Sequence, residues 1–156
     1  MSFSVGTLKK CYDKKSKEYE DKLRYDLRFI DSFQFMSSSL NNLVTDLKQG
    51  GMDKFKYMHQ EFGQFTELLT RKGTYPYSYT NKWSKFDVST NKLERNHFRN
   101  DLTGDEISED FKFYKKVCKK LKIRTLGEYH DLYLKTDVLL LADVFENFRK
   151  TCLEYY

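Results

Sequence analysis

A phenol and a carboxylate, Tyr133 and Asp137, are the two residues of this 156-residue chain best spaced to do chemistry. Standing at i and i+4, they project from one face of a helix. A carboxylate so placed can hold a divalent ion, and the phenol can orient an attacking water, which suits metal-dependent phosphodiester hydrolysis. Asp137 also breaks a rule. It falls on a stripe of apolar residues, one turn after Tyr133 and one turn before Leu140 and Leu141. A buried carboxylate there must be paired, hydrated or bound to metal, because an unpaired charge is too costly. Pairing with a Lys or Arg, or a place at the edge of the stripe, are the plainer readings. Tyr-x-x-x-Asp alone arises often by chance.

The element that must position the pair runs from Thr125 to Tyr156. It holds no Pro, and its one Gly, Gly127, lies at the start. Thr125 and Glu128 have the spacing of a capping box. Apolar residues recur at Leu126, Tyr129, Tyr133, Leu140, Leu141, Val144, Phe145, Phe148 and Cys152. That is helical periodicity over roughly seven or eight turns.

The length suits one domain with a core. Lys and Arg number 28 and Asp and Glu 23, a net charge of +5. Such an excess permits nucleic-acid contact without demanding it. The 12 Tyr and 13 Phe could stack bases among the lysines. An AT-rich coding sequence accounts for the same composition. Cys11, Cys118 and Cys152 are odd in number and widely spaced, and with His59, His97 and His130 they complete no zinc pattern. Reduced thiols in an intracellular protein fit best. No apolar run approaches a membrane span, so no membrane partner is expected. The N-terminus lacks the apolar core of a signal peptide.

Ser2–Leu8 alternates polar and apolar and reads as a strand, as does Leu23–Ser32. The two pair as a hairpin, with the charged stretch Lys9–Lys22 as an enlarged tip. The period then changes. Ser37, Ser38 and Ser39 offer N-caps to a helix carrying Leu40, Leu43, Val44 and Leu47, and Gly50 and Gly51 end it. Short helices are expected over Asp53–Phe62 and Phe65–Thr70. Gly73 and Pro76 mark a tyrosine-rich loop, with Trp83 and Phe86 as its anchors. Asn91–Glu106 reads as irregular, with one helical turn near His97. Ser108, Glu109 and Asp110 open a further helix before the long one.

The wording YLKTDVLLLADVFENF resembles the third exonuclease motif of family B DNA polymerases. GEYHDLYLKTDVLLLADVFENFRKTCLEYY is similar to the protein-primed branch, the polymerases of self-synthesising Polinton or Maverick transposons and their viral relatives. The resemblance implies that Tyr133 assists the hydrolytic water of a 3′–5′ proofreading site and that Asp137 is a metal ligand, the ion being Mg²⁺ or Mn²⁺. Ser32-Phe33-Gln34-Phe35-Met36 resembles the family's Ser/Thr-Leu-x-x-hydrophobic motif, with Phe in place of Leu. It implies that Ser32 and Phe33 contact the single-stranded primer end. Ser39-Leu40-Asn41-Asn42-Leu43 fits the same letters but lies inside a helix. RKGTYPY resembles the Lys-x-x-hydrophobic motif, which implies Lys72 on the scissile phosphate and Tyr75 beside it. Taken alone, Ser32 reads equally as a strand-end cap and Lys72 as an exposed lysine.

The implied fold is a mostly helical α/β chain: the second half of a ribonuclease H-like exonuclease domain, with an N-terminal β-hairpin and a long C-terminal helix. The hairpin would be the edge of a larger sheet, with an exposed apolar face. The implied partners are DNA and a terminal protein. The family's strand-borne Asp-x-Glu has no counterpart here, and NKWSKFD is one residue too long for its second exonuclease motif. The polymerase motifs are absent too. The chain is therefore expected to be a catalytically incomplete fragment of a DNA-directed DNA polymerase. The alternative is a non-catalytic helical module that binds DNA or a protein.

Overall fold

The computed structural model describes residues 2–13, 15, 17–98 and 108–155. It divides into two compact units, Met1–Ser38 and Ser39–Tyr156. The chain is α/β and mostly helical, and its sheet is one antiparallel pair among the described residues.

The first unit is the expected hairpin, but longer. Strand β1 spans Ser2–Asp13 and β2 spans Glu18–Ile30. The charged stretch therefore does not form a wide tip. Its register sets Lys10 opposite Asp21 and Tyr12 opposite Tyr19, whose rings meet edge-on at 5.3 Å. Opposite-charge and aromatic cross-strand pairs each stabilise a ladder by roughly 0.2–1 kcal/mol, which carries the pairing outward. The reversal is left to a tight turn, where Lys17 takes φ +60° and donates its N–H to the Asp13 carbonyl at 2.9 Å. A bulge lies between Thr7 and Leu8. Val5 and its cross-strand partner Leu27 are each about half exposed, as is Phe29, in line with the expected exposed apolar face.

In the second unit, α1 (Leu40–Gln49) starts where Ser39 Oγ accepts the Asn42 N–H, and it ends at Gly50. Gly51, at φ +113°, allows the turn that follows. The helix expected over Asp53–Phe62 is split. A 3₁₀ turn covers Met52–Lys54, Phe55 leaves helical geometry, and α2 runs Lys56–Phe62. The break lets Phe55 bury completely and exposes a fresh helix N-terminus to be capped. A 3₁₀ turn, Gly63–Phe65, leads into the single turn α3, Thr66–Leu69. Helix α4 covers Ser108–Leu121. Helix α5, Leu126–Tyr155, is the spine. Its capping box is formed, Glu128 N–H to Thr125 Oγ1 at 3.2 Å and Thr125 N–H to Glu128 Oε2 at 3.4 Å.

The core gathers Phe55, Met58, Tyr114, Leu126 and Leu140, all inaccessible to solvent. Fully burying an aliphatic or aromatic side chain contributes about 1.5–3 kcal/mol. The apolar stripe of α5 divides. Its buried line is Leu126, Tyr129, Tyr133, Thr136, Leu140, Asp143 and Val144, whereas Leu141 and Phe145 face outward. Asp137 therefore sits beside the buried line, half-buried, and not on it. Trp83 is not an anchor, being 86% exposed. Phe86 is an anchor, as expected: its carbonyl accepts the Gly127 N–H at 2.9 Å, and its ring lies 4.9 Å from that of His130. The expected turn at His97 is present, Arg95–His97, while the rest of that irregular stretch lies largely outside the described residues. All three cysteines are free, and burial pushes the Cys118 thiol up to about 11.

Candidate functional site

The site grows from two local devices, a straight helix and a loop that can lie flat against it. Tyr129, Tyr133 and Asp137 recur every fourth residue along α5, with His130 next to Tyr129. The loop after α3 crosses this face. Gly73 favours that close crossing, because a Cβ there would fall 2.9 Å from a carbon of the Tyr133 ring and force a shift. Just beyond it, the Thr74 carbonyl accepts the Tyr129 hydroxyl at 2.6 Å. The Tyr75 hydroxyl meets His130 Nδ1 at 2.9 Å, and the Tyr75 ring lies 5.1 Å from that of Tyr133. The buried Pro76 closes the loop, its carbonyl taking the Thr80 N–H and hydroxyl. Tyr77 then returns to the helix, its hydroxyl 2.8 Å from the Tyr133 hydroxyl. At the loop's start Arg71 is fixed by Asp110 at 3.1 Å and by the Phe113 ring at 4.2 Å.

The electrostatics single out one carboxylate. Burial raises the Asp137 pKa, while the Tyr133 hydroxyl and then the charge of Lys72 act the other way. Asp137 Oδ1 is buried and has no hydrogen-bond partner. Burial above all, then the bond to Tyr77 and the charge of Asp137, hold the Tyr133 phenol well above its ordinary range. It stays protonated at any physiological pH, so it serves as a donor that can orient a water or a substrate oxygen, not as a base. Lys72 is exposed and near enough to bias Asp137. Its ammonium is a mobile point charge of the kind that can meet a phosphate.

Four of the residues singled out from sequence thus come together: Lys72, Tyr75, Tyr133 and Asp137. Ser32 and Phe33 lie in the other unit. Ser32 opens a 3₁₀ turn, Ser32–Gln34, and its side chain lies outside the described residues. Phe33 is 58% exposed, and its N–H donates to Asp31 Oδ1. Neither is placed here with the other four. Ser39 is an N-cap, as its position inside the helical segment implied.

Two residues of the site, Tyr77 and His130, and one structural carboxylate, Asp143, are not legible from the sequence. Tyr77 repeats Tyr75 at i+2, a signal that a second phenol could face the same partner. His130 lies one turn before Tyr133, and its spacing from the cysteines points to no role. Asp143 is 1% exposed, and both its oxygens accept backbone N–H groups at the start of α2, from Tyr57 at 2.9 Å and Met58 at 3.0 Å. It is a structural cap.

Among the described residues, no group of three or more His, Cys, Asp or Glu side chains could hold a metal ion. The orphaned oxygen of Asp137 fits a divalent cation as a single ligand. No described helix is long and apolar enough to cross a membrane. No family model, curated protein or solved structure matches the chain.

Proposed function

We propose that this chain is a piece of a protein-primed family B DNA polymerase and contributes part of its 3′–5′ exonuclease site. The observation that carries the reading is the convergence of Lys72, Tyr133 and Asp137 from segments some sixty residues apart, with the orphaned Asp137 oxygen among them. A ribonuclease H-like domain completed by further strands and carboxylates would be the setting. Its substrate would be the single-stranded 3′ end of a DNA primer, and a terminal protein would be the polymerase's further partner.

In that setting Asp137 would be one ligand of Mg²⁺ or Mn²⁺. The bound ion supplies charge neutralisation and a nucleophile at neutral pH. The chain's own residues do the rest. Tyr133, held by Tyr77 and kept protonated by burial, orients a water through its hydroxyl. Lys72 offers its ammonium to the phosphate. Tyr75, locked against His130, keeps the loop that carries Lys72 in place. One carboxylate is too few for a two-metal site, so the isolated chain is expected to be inert.

A second reading is favoured by that same poverty of carboxylates: a non-catalytic helical module that binds DNA or a protein. One experiment separates the two. The chain is joined to the upstream half of a family B exonuclease domain, which carries the strand-borne Asp-x-Glu, and hydrolysis of a labelled single-stranded primer is followed with Mg²⁺ or Mn²⁺. Asp137→Ala should abolish cleavage. Tyr133→Phe should weaken it less, because it removes a hydrogen bond and no metal ligand. Full activity of the completed domain without Asp137 defeats the enzyme reading, and primer degradation by the isolated chain defeats the expectation that it is catalytically incomplete.

A further inference from the structure

The net charge of +5 is not spread over the chain. Between Asp110 and Glu128 lie seven cations, Lys112 to Arg124, and no carboxylate. Everything outside that stretch carries 21 cations against 23 carboxylates, 28 − 7 against 23. The whole positive excess therefore belongs to the second half of α4 and the joint into α5.

The structure gives this run a shape. On one flank of α4 the cations Lys115, Lys119, Lys122 and Arg124 line an open cleft of about 720 Å³, together with Ser89–Asn91, Cys118 and Ile123. Among the described residues no carboxylate lines it. On the other flank Lys116 and Lys120 face a second hollow of about 690 Å³, shared with Lys48 and Arg71 and with a single acid, Glu67. Three acids of the described residues that flank the run are already engaged. Asp110 holds Arg71, Glu109 holds Lys112, and Glu128 Oε2 accepts the backbone N–H of Arg124 at 2.6 Å. Among the described residues no ion pair reaches Lys115, Lys116, Lys119, Lys120, Lys122 or Arg124.

Like charges one turn apart repel, and the negative end of the α4 dipole offsets only the last of them. Lys122 adds a further oddity. It sits at φ +57° just past the end of α4, where Gly is the usual residue. A lysine there keeps a cation on the cleft rim against backbone preference.

We propose that the α4 cleft is a docking surface for the phosphate backbone of a nucleic acid. Its wall offers the Ser89 hydroxyl and the Asn91 amide beside four cations, the mixture that meets phosphate oxygens, while the buried Thr90 hydroxyl is spent on the Ile123 and Arg124 carbonyls. Among the described residues its lining has no aromatic anchor of the kind that concentrates binding energy in protein interfaces. Nor does it have the broad apolar face that a membrane surface requires. The surface shares no residue with the Lys72–Tyr133–Asp137 site, so the two readings stand or fall separately.

The test is a fluorescence-anisotropy titration of the full chain against a labelled 20-nucleotide single strand and the matching duplex, from 50 to 300 mM NaCl. The quadruple variant Lys115→Gln, Lys119→Gln, Lys122→Gln, Arg124→Gln is expected to bind at least about tenfold more weakly. Its salt slope on the single strand should fall by about 3, since each neutralised phosphate contributes about 0.7. A control with the same charge change on exposed sites elsewhere, Lys10→Gln, Lys15→Gln, Lys56→Gln, Lys82→Gln, should change affinity less than twofold. A triple Lys115→Arg, Lys119→Arg, Lys122→Arg variant should retain it. Equal weakening in the two glutamine sets overturns the proposal, because net charge would then suffice. So does absence of binding at 50 mM salt. Displacement of the oligonucleotide by polyglutamate at equal charge concentration assigns the cleft to an acidic polypeptide and overturns it as well.

Discussion

Asp137 and Asp143 stand six residues apart on one helix and do opposite things. Asp143 is almost wholly buried, yet both its oxygens are satisfied by backbone N–H groups at the mouth of α2. Asp137 is less buried, yet one of its oxygens is left without a partner and burial raises its pKa. Depth of burial therefore does not separate the structural carboxylate from the candidate functional one. Satisfaction does. A carboxylate that accepts two backbone donors completes a helix end, whereas one with an unpaired oxygen beside a phenol and an ammonium is poised for something that the protein alone does not supply.

Replacing Asp143 by Ala should give the largest loss of stability in this region. Two α2 N–H groups lose their acceptor, one of them at the buried Met58, and removal of such a cap costs about 2 kcal/mol. Urea denaturation should show it. A loss no larger than that of an ordinary surface substitution would erase the contrast between the two carboxylates. Gly73→Ala comes next. Its Cβ would press on the Tyr133 ring, and relief by a shift of the loop should cost about 1 kcal/mol. The shift should also disturb the near-ultraviolet tyrosine circular dichroism, which Asp143→Ala should alter less.

Tyr77→Phe sharpens the other side of the comparison. It removes the hydrogen bond to Tyr133 at the cost of roughly 0.5–1 kcal/mol. That bond is one of the causes raising the Tyr133 pKa, so spectrophotometric titration of the phenol should move toward the ordinary range.

Asp137→Asn is the smallest effect and has the opposite sign. Because the folded state keeps the Asp137 proton to higher pH than the unfolded chain does, this group's contribution to stability is greatest below the ordinary value of 3.8 and falls as pH rises through the raised one. At neutral pH the Asn variant should therefore match or exceed the parent by less than about 1 kcal/mol, and denaturation across a pH series should lose that fall. A clear destabilisation by Asp137→Asn at neutral pH would show the carboxylate to be structural after all.

What the sequence determined by itself is what neighbours within four or five residues decide. The Thr125–Glu128 capping box, the Ser39 cap, the Gly50–Gly51 stop and the alternation of the hairpin strands are all interactions of that range, and each stands where local pattern put it. The i, i+4 placement of Tyr133 and Asp137 is likewise a property of any helix. Tertiary structure decided the rest, because its partners are distant in sequence. Cross-strand register drew the charged stretch into the ladder and shrank the hairpin tip. Phe86 took the anchoring place beside α5 and left Trp83 in water. Asp143 found its donors 85 and 86 residues away, and Tyr77 met Tyr133 across 56. A periodicity argument sees only which side of a helix a residue faces. Which backbone N–H, ring or ammonium arrives on that side is settled by packing, and it is that arrival which made Asp143 a cap and left Asp137 with a free oxygen.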